Sequence, residues 1–543
     1  MTREIVRNNI FSAGALFFLL GISFVSYGQQ DARVEKYAST ITASDLSDYL
    51  HVIASDSMEG RETGEAGQKK AADYIVGKFK EFGLKPVVKE GNGLSYLQKF
   101  SLEKKQWDEV YLIVNDKKKK FLEDFYVYGD VEFPAEEKTE IVFAGYGIDA
   151  ESYSDYKNIS SKKPIISVKG KSVIIFPGDP VIAGISAVTG EKSLSSWAND
   201  WRKKAATAKE QGAKNVFIVV GNKDEDFYNR LNQLKEHISQ STLGFTHKQR
   251  PGSAVFIPVS LAAEMLNLKP EKLIEEKDKR TVALKSGSKY SAIKKTAIVS
   301  IKVSVKKTAI NTENILGLIE GTDKKDEIVV LTAHYDHIGK EGDKIYYGAD
   351  DDGSGTVALL EIAQAFSKAV KDGIRPRRSI LIMPVTAEEK GLMGSEYYTD
   401  KPVFPLANTV ADLNIDMIGR LDEAHATNEN YVYIIGSNRL STGLHKISEE
   451  ANKKSVNIEL DYKFNSFDDP NRFYFRSDHY NFAKNKIPVI FYFSGVHADY
   501  HKPTDTVDKI LFEKAAKITK LVFYTAWELA NSEERIKVDV EEK

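Results

Sequence analysis

The chain has 543 residues, with 76 lysines and arginines against 78 aspartates and glutamates and a formal charge of −2. A hydrophobic share of 42% and a charged share of 28% exclude a disordered chain, a collagen-like repeat and a multi-span membrane protein. The near-neutral balance argues against a nucleic-acid binder, and the absence of cysteine rules out disulfides and thiolate metal sites.

The first element in chain order is a leader. Arg3 and Arg7 precede an apolar run from Ile10 to Val25, followed by the small residues Ser26 and Gly28. This pattern predicts a signal peptide over 1–28, since the run is shorter than the about 20 residues a spanning helix needs. The expected location is periplasmic or secreted, with no stable membrane insertion after cleavage. A helix capped by Ser44 would carry Leu46, Tyr49, Leu50 and Ile53 on one face, and a second over Gly67–Phe82 would stop at Gly83 and Pro86.

From about Leu94 to Leu284 short β-rich runs dominate: Glu140–Ala144, Ser172–Phe176, Val216–Val220 and Ala254–Val259. One helix, Lys203–Gln211, interrupts them, and Lys117–Lys120 reads as a solvated turn. After the Lys- and Ser-rich stretch 285–307, apolar runs at Glu327–Ala333, Ser379–Thr386, Val410–Ile415, Tyr431–Ile435 and Pro488–Phe493 alternate with helical patterns such as Thr356–Val370 and Leu511–Asn531. Alternation of this kind predicts an α/β domain with a mixed, largely parallel central sheet flanked by helices.

Ligands in such sheets bind beyond the carboxyl ends of the strands. There the sequence places His334-Tyr335-Asp336-His337, Glu388-Glu389, Asp416 and Asp499-Tyr500-His501, and the turn Gly348–Gly355 carries Asp350, Asp351 and Asp352. Acids crowded on one rim repel one another and resist desolvation, so a cation must sit among them. Divalent metal is the economical answer, because no Lys or Arg cluster accompanies these segments. Three ligating carboxylates with two neutral imidazoles balance two divalent ions and one bridging hydroxide, the nucleophile of a two-metal hydrolase. Imidazole and carboxylate donors suit zinc.

These segments, with Ala387–Ser395, Asn414–Gly419, Arg476–His479 and Asp499–Thr506, resemble the M28 family of co-catalytic zinc aminopeptidases. Glu59–Gly64 and the helix after it look like that family's N-terminal part. The middle region resembles an inserted β-rich protease-associated (PA) domain, carried by Val173–Pro180 and Lys203–Val220. The resemblance divides the mature chain into a first peptidase part over 29–120, a PA insertion over 121–289 and a metal-binding part over 290–543.

It also implies roles. His334 and Asp416 would bind one Zn2+, Glu389 and His501 the other, and Asp351 would bridge both, with the peptide bond to Asp352 cis. Asp336 would hydrogen-bond His334 and fix its tautomer. Glu388 would be the general base, Tyr500 would donate to the oxyanion, and Arg476 would line the substrate pocket. His337, His497, Asp478 and His479 would support rather than ligate, and Asp505 would brace the loop carrying His501. The implied protein is a secreted or periplasmic di-zinc exopeptidase that removes N-terminal residues from peptides. A carboxypeptidase or dipeptidase would instead need a basic pocket, for which Arg472 and Arg476 are the candidates. Glutaminyl cyclisation normally uses one zinc, and a non-catalytic PA-domain binding protein would have lost some of these positions.

Overall fold

The computed structural model describes residues 32–246, 253–288, 290, 293 and 296–541; the leader expected over 1–28 lies outside them. Among the described residues no helix is long and apolar enough to cross a membrane. The chain divides into two compact units, Met1–Ser101 with Asn311–Lys543, and Leu102–Ile310.

The first unit is built on an eight-stranded mixed sheet: β1 (Lys85–Pro86), β2 (Gly317–Ile319), β3 (Lys324–His334), β4 (Arg378–Val385), β5 (Thr409–Ile415), β6 (Tyr431–Ile435), β7 (Glu459–Asp461) and β8 (Val489–Phe493), in spatial order β1-β2-β4-β3-β5-β8-β6-β7. The four central strands β4, β3, β5 and β8 run parallel, and β6 pairs antiparallel with β8. Alternate residues of β3 divide between two cores. Val329, Leu331 and Ala333 join one that holds Leu360, Phe366, Phe523 and Trp527, while Ile328 and Val330 join Tyr398, Phe482 and Phe491 on the other face. Burial on both faces explains why these strands are continuous apolar runs.

Helices α1 (Ala43–Ile53), α2 (Ala66–Phe82), α3 (Gly355–Lys371) and α4 (Phe512–Asn531) supply buried residues to the first core, including Leu50, Phe79, Leu360 and Phe523. Gly83, in the left-handed region at φ 87°, ends α2. The cap of α1 is Thr42 rather than Ser44, its side chain accepting the Asp45 N–H at 3.0 Å. Thr42, two residues before Ser44, is the one in extended conformation where the helix begins.

Glu361 of α3 accepts the Thr42 N–H at 3.1 Å and is 1% exposed. Burial pushes its carboxyl up to about 7, against the Thr42 hydrogen bond and assisted by Asp45. The native state therefore holds a proton that the unfolded chain releases above its ordinary value of 4.5, so stability falls as pH rises from there to about 7 and then levels. Glu361→Gln should remove that slope and stabilise the protein at pH 8 by about 3 kcal/mol. Urea midpoints of both proteins at pH 5 and pH 8 check this.

The second unit contains a five-stranded sheet ordered Tyr126–Tyr128, Ala254–Ile257, Asn215–Val219, Ser172–Ile175, Ile141–Phe143, with the inner pairs parallel. The region expected to hold one helix holds Trp201–Glu210 and, in addition, Asp224–Ser239, Val259–Met265 and Pro270–Ser286. Phe227, Leu231 and Ile238 give Asp224–Ser239 a buried stripe inside an otherwise charged segment. Lys117–Lys120 is a strand paired with Tyr111–Val114, not a turn, and Lys118 lies 3.9 Å over the Tyr111 ring. The unit is also wider than 121–289 at both ends, because its limits fall within the long strands Leu97–Val114 and Val299–Ile315.

Candidate metal centre

Parallel register brings the carboxyl ends of β3, β4, β5 and β8 to one rim. His334 closes β3 opposite Val385, Glu388 and Glu389 follow β4, Asp416 follows β5, and His501 follows β8. Asp351 enters from the turn before α3, and its peptide bond to Asp352 is cis, as the resemblance implied. Ala387, Met417 and His501 have φ values of 57°, 56° and 56°, the left-handed region that side chains with a Cβ seldom adopt. These sharp turns lie beside the donors that follow β4, β5 and β8, whereas His334 is the last residue of β3.

All five expected donors meet. His334 Nε2 lies 3.2 Å from Asp351 Oδ1 and 3.7 Å from Asp416 Oδ1. His501 Nε2 lies 3.1 Å from Asp351 Oδ2 and 3.2 Å from Glu389 Oε2. The two Asp351 oxygens thus face two separate groups. Ligands about 2.0–2.2 Å from a tetrahedral zinc ion stand roughly 3.3 Å from one another, which these separations match. Asp351 Oδ2 and Glu389 Oε1 are buried without a hydrogen-bond partner. Bare carboxylate oxygens in a dry cluster fit a pair of divalent cations.

His334, Asp351 and Asp416 offer donor atoms all within 4.8 Å of one another, and so do His337, Asp351 and Glu389. His337 was expected only as a supporting residue. A third group, His425, Glu459 and Asp461, lies at the β6–β7 edge. There His425 is already engaged, stacked 3.6 Å from the Tyr431 ring with Nδ1 at 3.0 Å from Asp422.

The surroundings hold the donors in place. His334 Nδ1 bonds the backbone carbonyl of Asp336 at 3.0 Å, whereas the Asp336 carboxylate, expected to fix the tautomer, is 3.8 Å away. That carboxylate instead accepts Thr63 Oγ1 at 2.8 Å and the Glu388 N–H at 3.2 Å, tying the N-terminal segment to the turn after β4. Asp352 accepts the N–H groups of His334, Gly355 and Met417, joining three donor-bearing segments. Asp505 accepts the Asp350 and Asp351 N–H groups at 3.0 and 3.2 Å, so it braces the aspartate turn rather than the His501 loop. Ser477 Oγ donates to Asp416 Oδ2 at 2.7 Å.

Arg61 is fully buried and donates to the carbonyls of Ile53, Tyr335, Tyr347 and Gly348 at 2.7–2.9 Å. Burial lowers its guanidinium to about 10, opposed by Asp336 and Asp351, so it stays charged at neutral pH. It staples the segment after β3 to the one entering the aspartate turn. Sequence had marked Arg61 only as part of a motif; its partners are carbonyls, which leave no side-chain signature. Arg61→Leu should take a donor from four carbonyls, that of Gly348 keeping only the Gly353 N–H, and cost about 3 kcal/mol or more. Arg61→Lys should not restore this, because one ammonium lacks the planar fork. Thermal unfolding of both variants tests this.

Electrostatics follow the geometry. Burial works to lower His334, but Glu388, Asp351 and Asp416 outweigh it and raise it well above its usual value. His501 rises to about 10 against its burial because of Asp351 and Glu389. Burial raises Glu388 well above the usual carboxylate range, opposed by His334 and reinforced by Glu389 and Asp416. Burial also raises the Tyr500 phenol, with Asp351 and Glu389 adding to it, so it remains a donor.

A cavity lined by His334, Asp351, Glu388, Asp416, Phe473 and Tyr500 adjoins a wider one of about 570 Å³. Phe473, Arg476, Val496 and Tyr500 line both. Arg472 points elsewhere, 4.8 Å over the Phe475 ring.

Residues 314–526 match the profile of Peptidase family M28. The chain is 40% identical over 105 residues to "Probable glutamate carboxypeptidase LAMP1" of Arabidopsis thaliana, covering 19% of this chain and 14% of that protein. It is 38% identical over 109 residues to "Aminopeptidase NAALADL1" of Rattus norvegicus, covering 20% of this chain and 14% of that one. These matches thus span well under two thirds of the relatives' length. "Aminopeptidase from Aneurinibacillus sp. strain AM-1" superposes over 94% of this chain and 98% of its own, with TM-score 0.51 and 19% identity, which shows a shared fold.

Proposed function

We propose, from the match of residues 314–526 to Peptidase family M28, that this chain is an exopeptidase of that family with two Zn2+ ions that removes N-terminal residues from peptides. The carrying observation is the meeting of His334, Asp351, Glu389, Asp416 and His501 from separate strand ends, with Glu388 beside them at 4.0 Å from His334. When bound, such an ion pair polarises the scissile carbonyl and lowers the pKa of water, supplying a nucleophile at neutral pH. Glu388 takes the proton from the attacking water and passes it to the leaving amine. Tyr500, lining the same cavity, donates its phenol to the oxygen on which negative charge develops. The carboxylates around the cavity favour the free α-ammonium of a peptide over its carboxylate end.

Arg476 at the junction of the two cavities favours a second reading, a carboxypeptidase that binds the substrate carboxylate there. We further propose export of the chain, directed by the leader expected over 1–28, and a PA-like role for the second unit in limiting access by large substrates. A panel of amino-acid anilides, free peptides and N-acetylated peptides, with and without chelator, tests the main reading. Chelation should abolish turnover, and N-acetylation should block it. Equal cleavage of acetylated and free peptides would eliminate the aminopeptidase reading and leave the carboxypeptidase.

A further inference from the structure

On the two-cation reading above, we infer that His337 is itself a metal ligand, so that the position between Asp351 and Glu389 is enclosed by four protein donors while the position at His334 and Asp416 has three. His337 Nδ1 lies 2.8 Å from Glu389 Oε1 and 3.9 Å from Asp351 Oδ2, separations that bracket the roughly 3.3 Å between tetrahedral zinc ligands. Both ring nitrogens of His337 are buried without a hydrogen-bond partner, as are the two facing oxygens, Asp351 Oδ2 and Glu389 Oε1. His337 Nδ1 and Glu389 Oε1 are close enough for a hydrogen bond but are not aligned for one, as two ligands aimed at one ion would be. Leaving Nδ1 and the two oxygens bare in a dry interior is costly, and a shared cation removes that cost.

The ring is also seated by its backbone and neighbours. The His337 N–H donates to the Arg61 carbonyl at 3.2 Å. A Cβ at Gly348 would stand 2.5 Å from the His337 ring, so only glycine leaves it room. The His501 ring stands edge-on with its centroid 5.9 Å away, and its Nε2 faces the same two carboxylates.

Four protein donors form the closed arrangement of structural zinc sites, and three donors the open arrangement of catalytic ones. The four-donor position should therefore fill first and release its ion last. The open position lies on the Glu388 side, with His334 Nε2 4.0 Å from Glu388 Oε2. His501 is the replaceable member of the four-donor set, with a side chain 39% exposed against 0% for His337.

Metal-stripped full-length protein titrated with Co2+, followed by visible absorption and calorimetry, tests this. Wild type should take up two ions with unequal affinity. His337→Gln should weaken the tighter ion by at least about tenfold, the scale on which even outer partners of metal ligands act, and should change the absorption band of the first equivalent. His501→Gln should still bind two ions, because Asp351, Glu389 and His337 remain. This exposed variant decides the matter if His337→Gln does not fold. Wild-type affinities and spectrum in His337→Gln, or loss of one ion in His501→Gln, overturn the inference alone. Wild type that binds no Co2+ overturns the two-cation reading and this inference with it.

Discussion

Glu388→Gln is expected to keep both metal ions and the wild-type thermal midpoint while lowering turnover by about 10²–10⁴-fold, the usual worth of general-base catalysis. The neighbouring Glu389 faces His337 and His501, whereas Glu388 approaches only His334, at 4.0 Å. The amide preserves shape and leaves the five donors untouched, so metal content should not change. It cannot accept the proton of the attacking water. Loss of rate should appear in kcat rather than KM, since the side chain acts on the reacting proton and not on binding. Metal analysis together with steady-state kinetics separates the two effects. An unchanged kcat would remove Glu388 from the reaction.

Asp351→Ala should have a still larger effect, reducing zinc content to near zero at stoichiometric metal and abolishing turnover. Asp351 alone faces both donor groups, with Oδ1 toward His334 and Oδ2 toward His501. Its loss deprives each cation of a ligand and removes the negative charge that lets two positive ions stand close together. In the metal-free protein His334 and His501 hold this carboxyl well below its usual range, against its burial. The variant should therefore also lower the pKa of both imidazoles, which histidine NMR titration would detect. Retention of two tightly held ions by Asp351→Ala would refute the bridging role.

His334, Glu389 and Asp416 were legible as rim residues because strand ends are legible. Apolar runs buried on both faces stand out, and a His, Asp or Glu directly after one is confined to the rim of the sheet. Tyr431–Ile435 is a strand over the span its sequence predicts, and β3, β4, β5 and β8 differ only at their ends. The second unit was less legible. Val299, Ile301 and Val303 are buried along one face of a strand whose other face is Lys and Ser, so the stretch reads as polar linker unless its alternation is counted. Asp224–Ser239 hides its buried stripe among charges in the same way.

By itself, then, the sequence determined the α/β class, the order of the central elements and the gathering of His, Asp and Glu near one rim, while the roles of the five donors and of Glu388 came from the resemblance to a known family. The first three depend on hydrophobic period and on residues adjacent to strand ends, both local properties. Tertiary structure alone decided that His337 faces Asp351 and Glu389, that Arg61 staples two donor loops through carbonyls, and that Asp505 holds the aspartate turn. Those contacts join residues far apart in the chain through backbone atoms and ring orientation, and only packing fixes which side chain a rotamer brings to meet which partner.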